Sequence, residues 1–391
     1  MRRIVVFLGI VSTAIALRAE TVLVLPFFNQ STSSGNSSNV DWIGESISEA
    51  MRESLVSEGL LALEREDRLE AFRRLSLRPN AALTRASIIK AGEALDASEV
   101  VYGQYDLAPG AGGSRGTLRI GARILNLKRF ERSPELEVSG AVEDLAALEA
   151  RLSWQVLKRL SPKTAPAEEE FLRARPHVRL DALESYIRGL LAANSEQRHK
   201  FFMQAARLDA AYSQPCFQLG KSYWGKKDYR VAAGWLERVN RGDPHYLEAQ
   251  FFLGLCRYQM GDYTAAEKCL ETVAASVPLN EVYNDLGAAQ TRSNPAAAME
   301  SFRKALEGDG TDLDYRFNLG CAQWKAGQFP AAADSFRAVL ERNPGDQEAA
   351  ALLGHAERRE PPRAGGEGRE RLKTNYEETA FRQLKAELGG K

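Results

Sequence analysis

The sequence predicts a multidomain chain: an N-terminal α/β (α+β) domain followed by an all-α superhelical solenoid. Three observations predict it. A Leu-Gly pair returns through the second half, at Leu219-Gly220, Leu253-Gly254, Leu286-Gly287, Leu319-Gly320 and Leu353-Gly354, with glycine spacings of 34, 33, 33 and 34. Strand-like runs alternate with helix-like runs through the first 160 residues. Between the two regions, Pro162, Pro166 and the run Glu168-Glu169-Glu170 mark a linker, assigned to 161–180.

The chain begins with Met1-Arg2-Arg3, an apolar run over 4–17 and a small residue, Ala19, which is the layout of a cleaved secretory signal peptide over 1–19. The apolar run is short for a membrane anchor, and no cysteine near the cut supports a lipid anchor. The expected location is therefore periplasmic or otherwise extracytoplasmic, with outer-membrane association left open and no transmembrane segment after cleavage. The chain has 391 residues with 52 basic and 52 acidic ones, so charge does not point to nucleic acid. Cys216, Cys256, Cys269 and Cys321 all fall in the repeats and are too sparse for a disulfide framework. Small apolar filler is the expected role, with pairing of Cys256 and Cys269 left open.

In the first domain, taken as 20–160, residues 21–28 form an apolar strand rich in β-formers, and 29–39 a Ser/Asn/Gly loop. Ile43, Ile47, Met51 and Leu55 recur at helical spacing over 42–56, with Asp41 as the expected N-cap. A short strand at 60–63 precedes helices at 67–75 and 84–95. Strands follow at 98–105, 118–127 and 136–138, then a helix over 143–160. The runs VLPFFN (24–29), WIGESISEA (42–50), LERED (63–67), ALDASEVVYGQ (94–104) and LRIGARIL (118–125) come in an order that resembles TolB amino-terminal-like and FlgO-like envelope domains. That resemblance implies a non-catalytic module of bacterial exported proteins, also found beside repeats in some signalling proteins, and brings no active site.

The repeats span 181–359. Ala232, Ala266, Ala298 and Ala332 keep step with the glycines, a bulky apolar residue follows four on at Leu236, Leu270, Phe302 and Phe336, and Pro244, Pro278 and Pro344 close three units. Small residues let paired helices approach, the bulky ones fill the seam, and one pair cannot bury its face alone, so units must stack. This pattern resembles the tetratricopeptide repeat, with about five units and a half unit after Gly354. Beyond a Pro/Gly break over 361–368, residues 369–388 read as a helix, with Tyr376, Phe381 and Leu384 on one face, expected to cap the end of the solenoid.

No catalytic constellation is evident. The SxxK spacing at Ser87 and Lys90 recurs at Ser301 and Lys304 inside a repeat helix and lacks its companion motifs. GAGGSRG at 110–116 joins strand to strand and lacks the Gly-Lys-Ser/Thr ending of a phosphate loop. GESIS at 44–48 departs from the nucleophile elbow at its last position. His177, His199, His245 and His355 are scattered without metal-ligand spacing. A non-enzyme with no cofactor and no bound metal is expected.

The resemblance implies a concave groove lined by the first helix of each unit. At its positions stand Tyr186, Phe217, Phe251 and Phe317, then Trp224, Tyr258 and Trp324, with polar neighbours Gln214, Lys221, Asn284, Asn318 and Lys325. Aromatic area beside polar donors suits capture of a peptide, although the same rings would also pack between helices. A basic clamp for a C-terminal carboxylate is not reproduced, since Lys221 stands almost alone. The reading is an exported protein–protein interaction scaffold of the cell envelope with a protein or peptide partner. The alternatives are a regulatory component related to cyclase- or kinase-associated modules, and a cell-wall glycan-binding protein.

Overall fold

A computed structural model describes residues 21–31, 40–78, 81–110, 116–175, 177–362, 368–379 and 381–382. The expected signal peptide lies outside these residues, as do most of the 29–39 loop and the tip of the glycine-rich hairpin.

The first domain runs β1 (Thr21–Val24), β2 (Phe28–Asn29), α1 (Trp42–Ser57), β3 (Leu61–Ala62), α2 (Arg65–Arg74), α3 (Arg85–Ala94), β4 (Glu99–Ala108), β5 (Thr117–Asn126), β6 (Glu131–Arg132), β7 (Leu136–Ala141) and α4 (Leu145–Leu160). The sheet order is β3-β1-β4-β5. β1 pairs in parallel with β3 and β4, while β5 pairs antiparallel with β4, β6 and β7. Side chains alternate across a strand: Val22 and Val24 pack with Ile43, Ile47, Leu148 and Leu152 of α1 and α4, and Leu23 and Leu25 pack with Phe72, Ile88 and Ala91 of α2 and α3. The sheet is covered on both faces, so β1 is a continuous apolar run.

Several expected elements shift. The strand expected over 21–28 breaks at Pro26, which has no amide to give the ladder. The Phe27 amide instead donates to the Gly44 carbonyl of α1 at 3.1 Å. Gly44 is required for this approach, because a Cβ there would lie 2.0 Å from the Phe27 carbonyl oxygen. Asp41 precedes α1 but makes no capping bond; its carboxylate accepts from the Asn29 side chain at 3.2 Å. The linker is not wholly exposed either. It contains α5 (Glu168–Arg173), whose Phe171 is buried under the Arg175 guanidinium, 3.2 Å from the ring centre.

The second domain is a stack of antiparallel helix pairs: α6 (Leu180–Leu191) with α7 (Ser195–Leu208), α8 (Ser213–Gly225) with α9 (Tyr229–Leu236), and α10 (Tyr246–Gln259) with α11 (Tyr263–Ala274). Then come α12 (Asn280–Gln290) with α13 (Pro295–Gly308), α14 (Leu313–Lys325) with α15 (Phe329–Arg342), and α16 (Gln347–Glu357) alone. The seam is built as the periodicity predicts. A Cβ at Gly220, Gly254, Gly287 or Gly320 would meet Leu236, Leu270, Phe302 or Phe336 at 2.6–2.8 Å. Asp228 and Asp262 cap the second helix of their units through the Val231 and Ala265 amides.

The first domain is seated on the first repeats. Tyr186 and Tyr212 pack edge to face, 5.3 Å apart, among buried residues continuous with α1. The Gln214 side chain donates to the Glu53 carboxylate of α1, and Arg175 donates to Ser54 and Ser57. His245 lies between Glu53 and Glu248. Burial alone would lower its pKa, but the two carboxylates outweigh burial and raise it to about 10.

The C-terminal segment departs most from expectation. Residues 368–377 form no helix and cap no end of the solenoid; they run extended across its concave face. Helical turns begin only at 378, and residues beyond 382 lie outside those described. Lone-helix spacing suggested an amphipathic surface, but here the polar residues of the segment find buried partners in the groove, which an end-cap helix could not supply.

Candidate peptide groove

The groove is made by α10, α12, α14 and the start of α16. Each repeat contributes its first helix to the concave face, so equivalent positions form stripes across it. Asn284 and Asn318, on the middle of α12 and α14, are both fully buried. The Asn318 Oδ1 accepts from the Arg371 amide at 2.8 Å, and its Nδ2 donates to the Arg371 carbonyl at 2.8 Å and to the Asn284 Oδ1 at 2.8 Å. Asn284 donates to the same Arg371 carbonyl at 2.9 Å and to Asp285 at 3.0 Å. Asp285 in turn accepts from the Lys373 amide at 2.9 Å, and Glu281 from the Glu377 amide at 3.2 Å. These contacts read backbone, so they hold any extended chain in register whatever its side chains.

Side chains are matched one by one. The Glu370 carboxylate is 0% exposed and meets Lys325 at 2.5 Å, the Tyr258 hydroxyl at 2.7 Å and Arg292 at 3.3 Å. The Arg371 guanidinium lies over Phe317, 3.6 Å from the ring centre, and makes a forked pair with Asp346 at 2.8 and 2.9 Å. Lys373 meets Asp312 and Asp314, each at 2.8 Å. The Tyr376 ring packs on Phe251, with centres 5.2 Å apart.

The residues expected to form the groove therefore divide. Phe251, Tyr258, Asn284, Phe317 and Asn318 meet the segment directly. Trp324 donates its indole N–H to the Glu360 carbonyl at 2.7 Å, just before the segment enters, and Lys325 also donates to the Gly368 carbonyl at 2.9 Å. Tyr186 and Gln214 lie under the first domain. Phe217 stacks on His245, 4.5 Å between centres, and Lys221 pairs with Glu248 at 2.6 Å. Both line a cavity of about 460 Å³ that Tyr376 and Arg382 also reach. Trp224 is half-buried against Tyr229 and Phe252.

The choice between groove surface and core filler is resolved differently along the face, because Phe251, Tyr258 and Phe317 are buried partly by the segment itself. Arg292 and the acidic set Asp285, Asp312, Asp314 and Asp346 were not foreseen. A signal for the basic part exists: Gln259, Arg292 and Lys325 each stand five residues after their unit's glycine. Gln259 accepts from Arg369 at 2.7 Å.

Burial alone would raise the Glu370 pKa, but Lys325 and the Tyr258 hydroxyl outweigh it and hold the carboxyl below its ordinary value. The Arg371 hydrogen bonds lower Asp346 likewise. A carboxylate depressed by docking contributes stability that is complete above its free value and lost as pH falls through the depressed value. Asp285 is pushed well above the usual range by burial, so its own transition does not belong to this acid limb. Docking of 368–377 is therefore expected to weaken on acidification below the ordinary carboxylate range. Hydrogen-exchange protection of the Arg371 and Lys373 amides, corrected for intrinsic rate, is the measurement; protection unchanged to the acid limit would contradict it.

Among the described residues, no group of three or more His, Cys, Asp or Glu is placed to hold a metal, and no helix is long and apolar enough to cross a membrane. Burial raises the Cys256 thiol to about 12.

Residues 223–289 and 317–361 match tetratricopeptide-repeat family models. These stretches are tetratricopeptide repeats, and the architecture is an α/β region followed by a tetratricopeptide-repeat solenoid, the fold class of protein-interaction scaffolds. No curated protein sequence matches the chain. Among solved structures, MamA (residues 41 to the end) from Desulfovibrio magneticus RS-1 is similar at 23% identity and a TM-score of 0.37, over 41% of this chain and 92% of that one. YrrB, described as a TPR protein with an unusual peptide-binding site, is similar at 18% identity and a TM-score of 0.36, over 51% and 93%. At such scores neither carries a property across.

Proposed function

We propose that this chain is an exported, non-enzymatic interaction scaffold of the bacterial cell envelope that holds an extended peptide segment of a partner in the concave face of its repeats. One observation carries the reading: residues 368–377 lie extended in that face with their backbone read by Asn284, Asn318, Asp285 and Glu281. A surface that satisfies the amides and carbonyls of one extended segment is chemically equipped to do so for another. Export rests on the signal-peptide layout of residues 1–19, and the envelope setting on the resemblance of the first domain to TolB amino-terminal-like and FlgO-like modules. That domain, seated over the first repeats, would fix the orientation of the groove.

The test is cross-linked affinity capture from the bacterial envelope with the tagged full chain, beside a variant carrying Asn284→Ala and Asn318→Ala. The expected result is a partner held by the wild type and lost on a variant of unchanged helicity. A partner kept by both would place the interaction on the first domain instead. Export is read from the N-terminus of the envelope-associated protein, expected near Glu20; a chain retaining Met1 and found with the cytoplasm would count against it.

A further inference from the structure

Resting on the groove reading above, we propose that the groove selects an extended peptide of defined charge order. That order is an acidic residue, then a basic one, any residue, a second basic one, and an aromatic three further on. The chain's own Glu370, Arg371, Lys373 and Tyr376 are the resident example, and a partner enters by displacing them.

The order is written into the walls. The basic corner formed by Lys325 and Arg292 accepts only the acidic residue. The acidic corner formed by Asp312, Asp314, Asp346 and Glu348 accepts only the basic ones. A peptide with these charges exchanged would set a cation against Lys325 and Arg292 at the position where the Glu370 carboxylate is fully buried, and anions against the partly exposed acidic corner. Phe251 then offers an apolar seat at the far end, where Tyr376 packs. The asparagines add no choice of side chain but require extended backbone, so conformation is fixed by one set of groups and sequence by another.

The segment has the character of an exchangeable occupant. Its apolar contribution is small, with only Leu372 and Tyr376 packing against the core, and the remaining contacts are polar or charged, as in interfaces that open. Thr374, Asn375 and Glu377 face solvent. It follows α16 after a short stretch containing Pro361 and Pro362, and a tether of that kind raises the effective concentration of the segment to the millimolar range. A partner of the same class therefore competes against a local excess.

The probe is a fluorescent synthetic peptide of residues 369–379, measured by anisotropy against the full chain. A released variant carries Glu370→Lys, Arg371→Glu and Lys373→Glu, which turns its own segment away from both corners. The peptide is expected to bind the released variant at least about tenfold more tightly than the wild type. A peptide of the same composition in which Glu370 trades places with Arg371, and Lys373 with Glu377, is expected not to bind it. Equal affinity for wild type and released chain would overturn the competition, and equal binding of the exchanged peptide would overturn the charge order. No binding to a released chain of native helicity would overturn both. Adding Asn284→Ala and Asn318→Ala to the released chain separates this proposal from the groove reading. If those changes abolish binding that ignores the segment or the charge order, the groove stands and the inference fails. If binding survives them, the groove reading itself fails.

Discussion

Replacing Arg68 with alanine is expected to destabilise the first domain by about 3–5 kcal/mol, the range for removing one partner of a buried ion pair. The Arg68 guanidinium is 3% exposed, bonds Glu45 at 2.5 Å and the Val24 carbonyl at 3.2 Å, and bonds the Ser48 hydroxyl. It also lies 3.5 Å from Glu49. It thus ties α2 to α1 and to the end of β1. Without it, Arg65 still serves Glu45 at 2.5 Å and Arg52 serves Glu49 at 3.2 Å, so the lower part of the range is the better expectation. Arg68→Met separates charge from volume, since it restores packing but not the pairing. Urea unfolding followed through the first-domain transition measures both; a loss under about 1 kcal/mol would show that the two glutamates are solvated well enough to stand alone.

The second large effect is at Asn318. Its conversion to alanine removes the bonds to the Arg371 amide and carbonyl and to Asn284, leaving buried groups unsatisfied. Only the two bonds to Arg371 reach the C-terminal segment, and net values near 1 kcal/mol for each give a loss of about 2 kcal/mol in its docking. That is roughly thirtyfold in the docked population. The solenoid should keep its helicity, because Asn318 faces the groove while the seam at Gly320 and Phe336 is untouched. The readout is protection of the Arg371 and Lys373 amides together with circular dichroism. Protection retained in the variant would show that the charge pairs hold the segment without the asparagine.

The repeat was legible because it is periodic. Five Leu-Gly pairs recur, and four of their glycines are opposed by a bulky residue sixteen or fifteen positions later, so one packing contact repeats until chance is an inadequate account. The first domain was legible in outline for a related reason, since Val22 to Leu25 alternate between two covered faces and Ile43, Ile47, Met51 and Leu55 mark one side of a helix. The errors fall where one residue had two possible partners. Asp41 looks like an N-cap, but the Asn29 side chain was in reach. Phe171 opens a stretch whose composition leaves linker and packing both open, and its ring beneath Arg175 decides for packing.

The groove was read only halfway. Its aromatic positions and both asparagines follow from register within the repeat, as does the stripe that ends in Arg292 and Lys325. By itself, then, the sequence determined the repeat, the seam, the strand–helix order and the residues that each unit turns inward, because these depend on contacts between near neighbours or on a fixed period. Only the tertiary structure decided what those residues face: the first domain over Tyr186 and Gln214, and the chain's own residues 368–377 over Phe251, Tyr258 and Phe317. Extended polar segments carry no periodic signal. Their conformation is set by partners such as Asn284 and Asn318, which lie far away in the chain and come together only when the units stack.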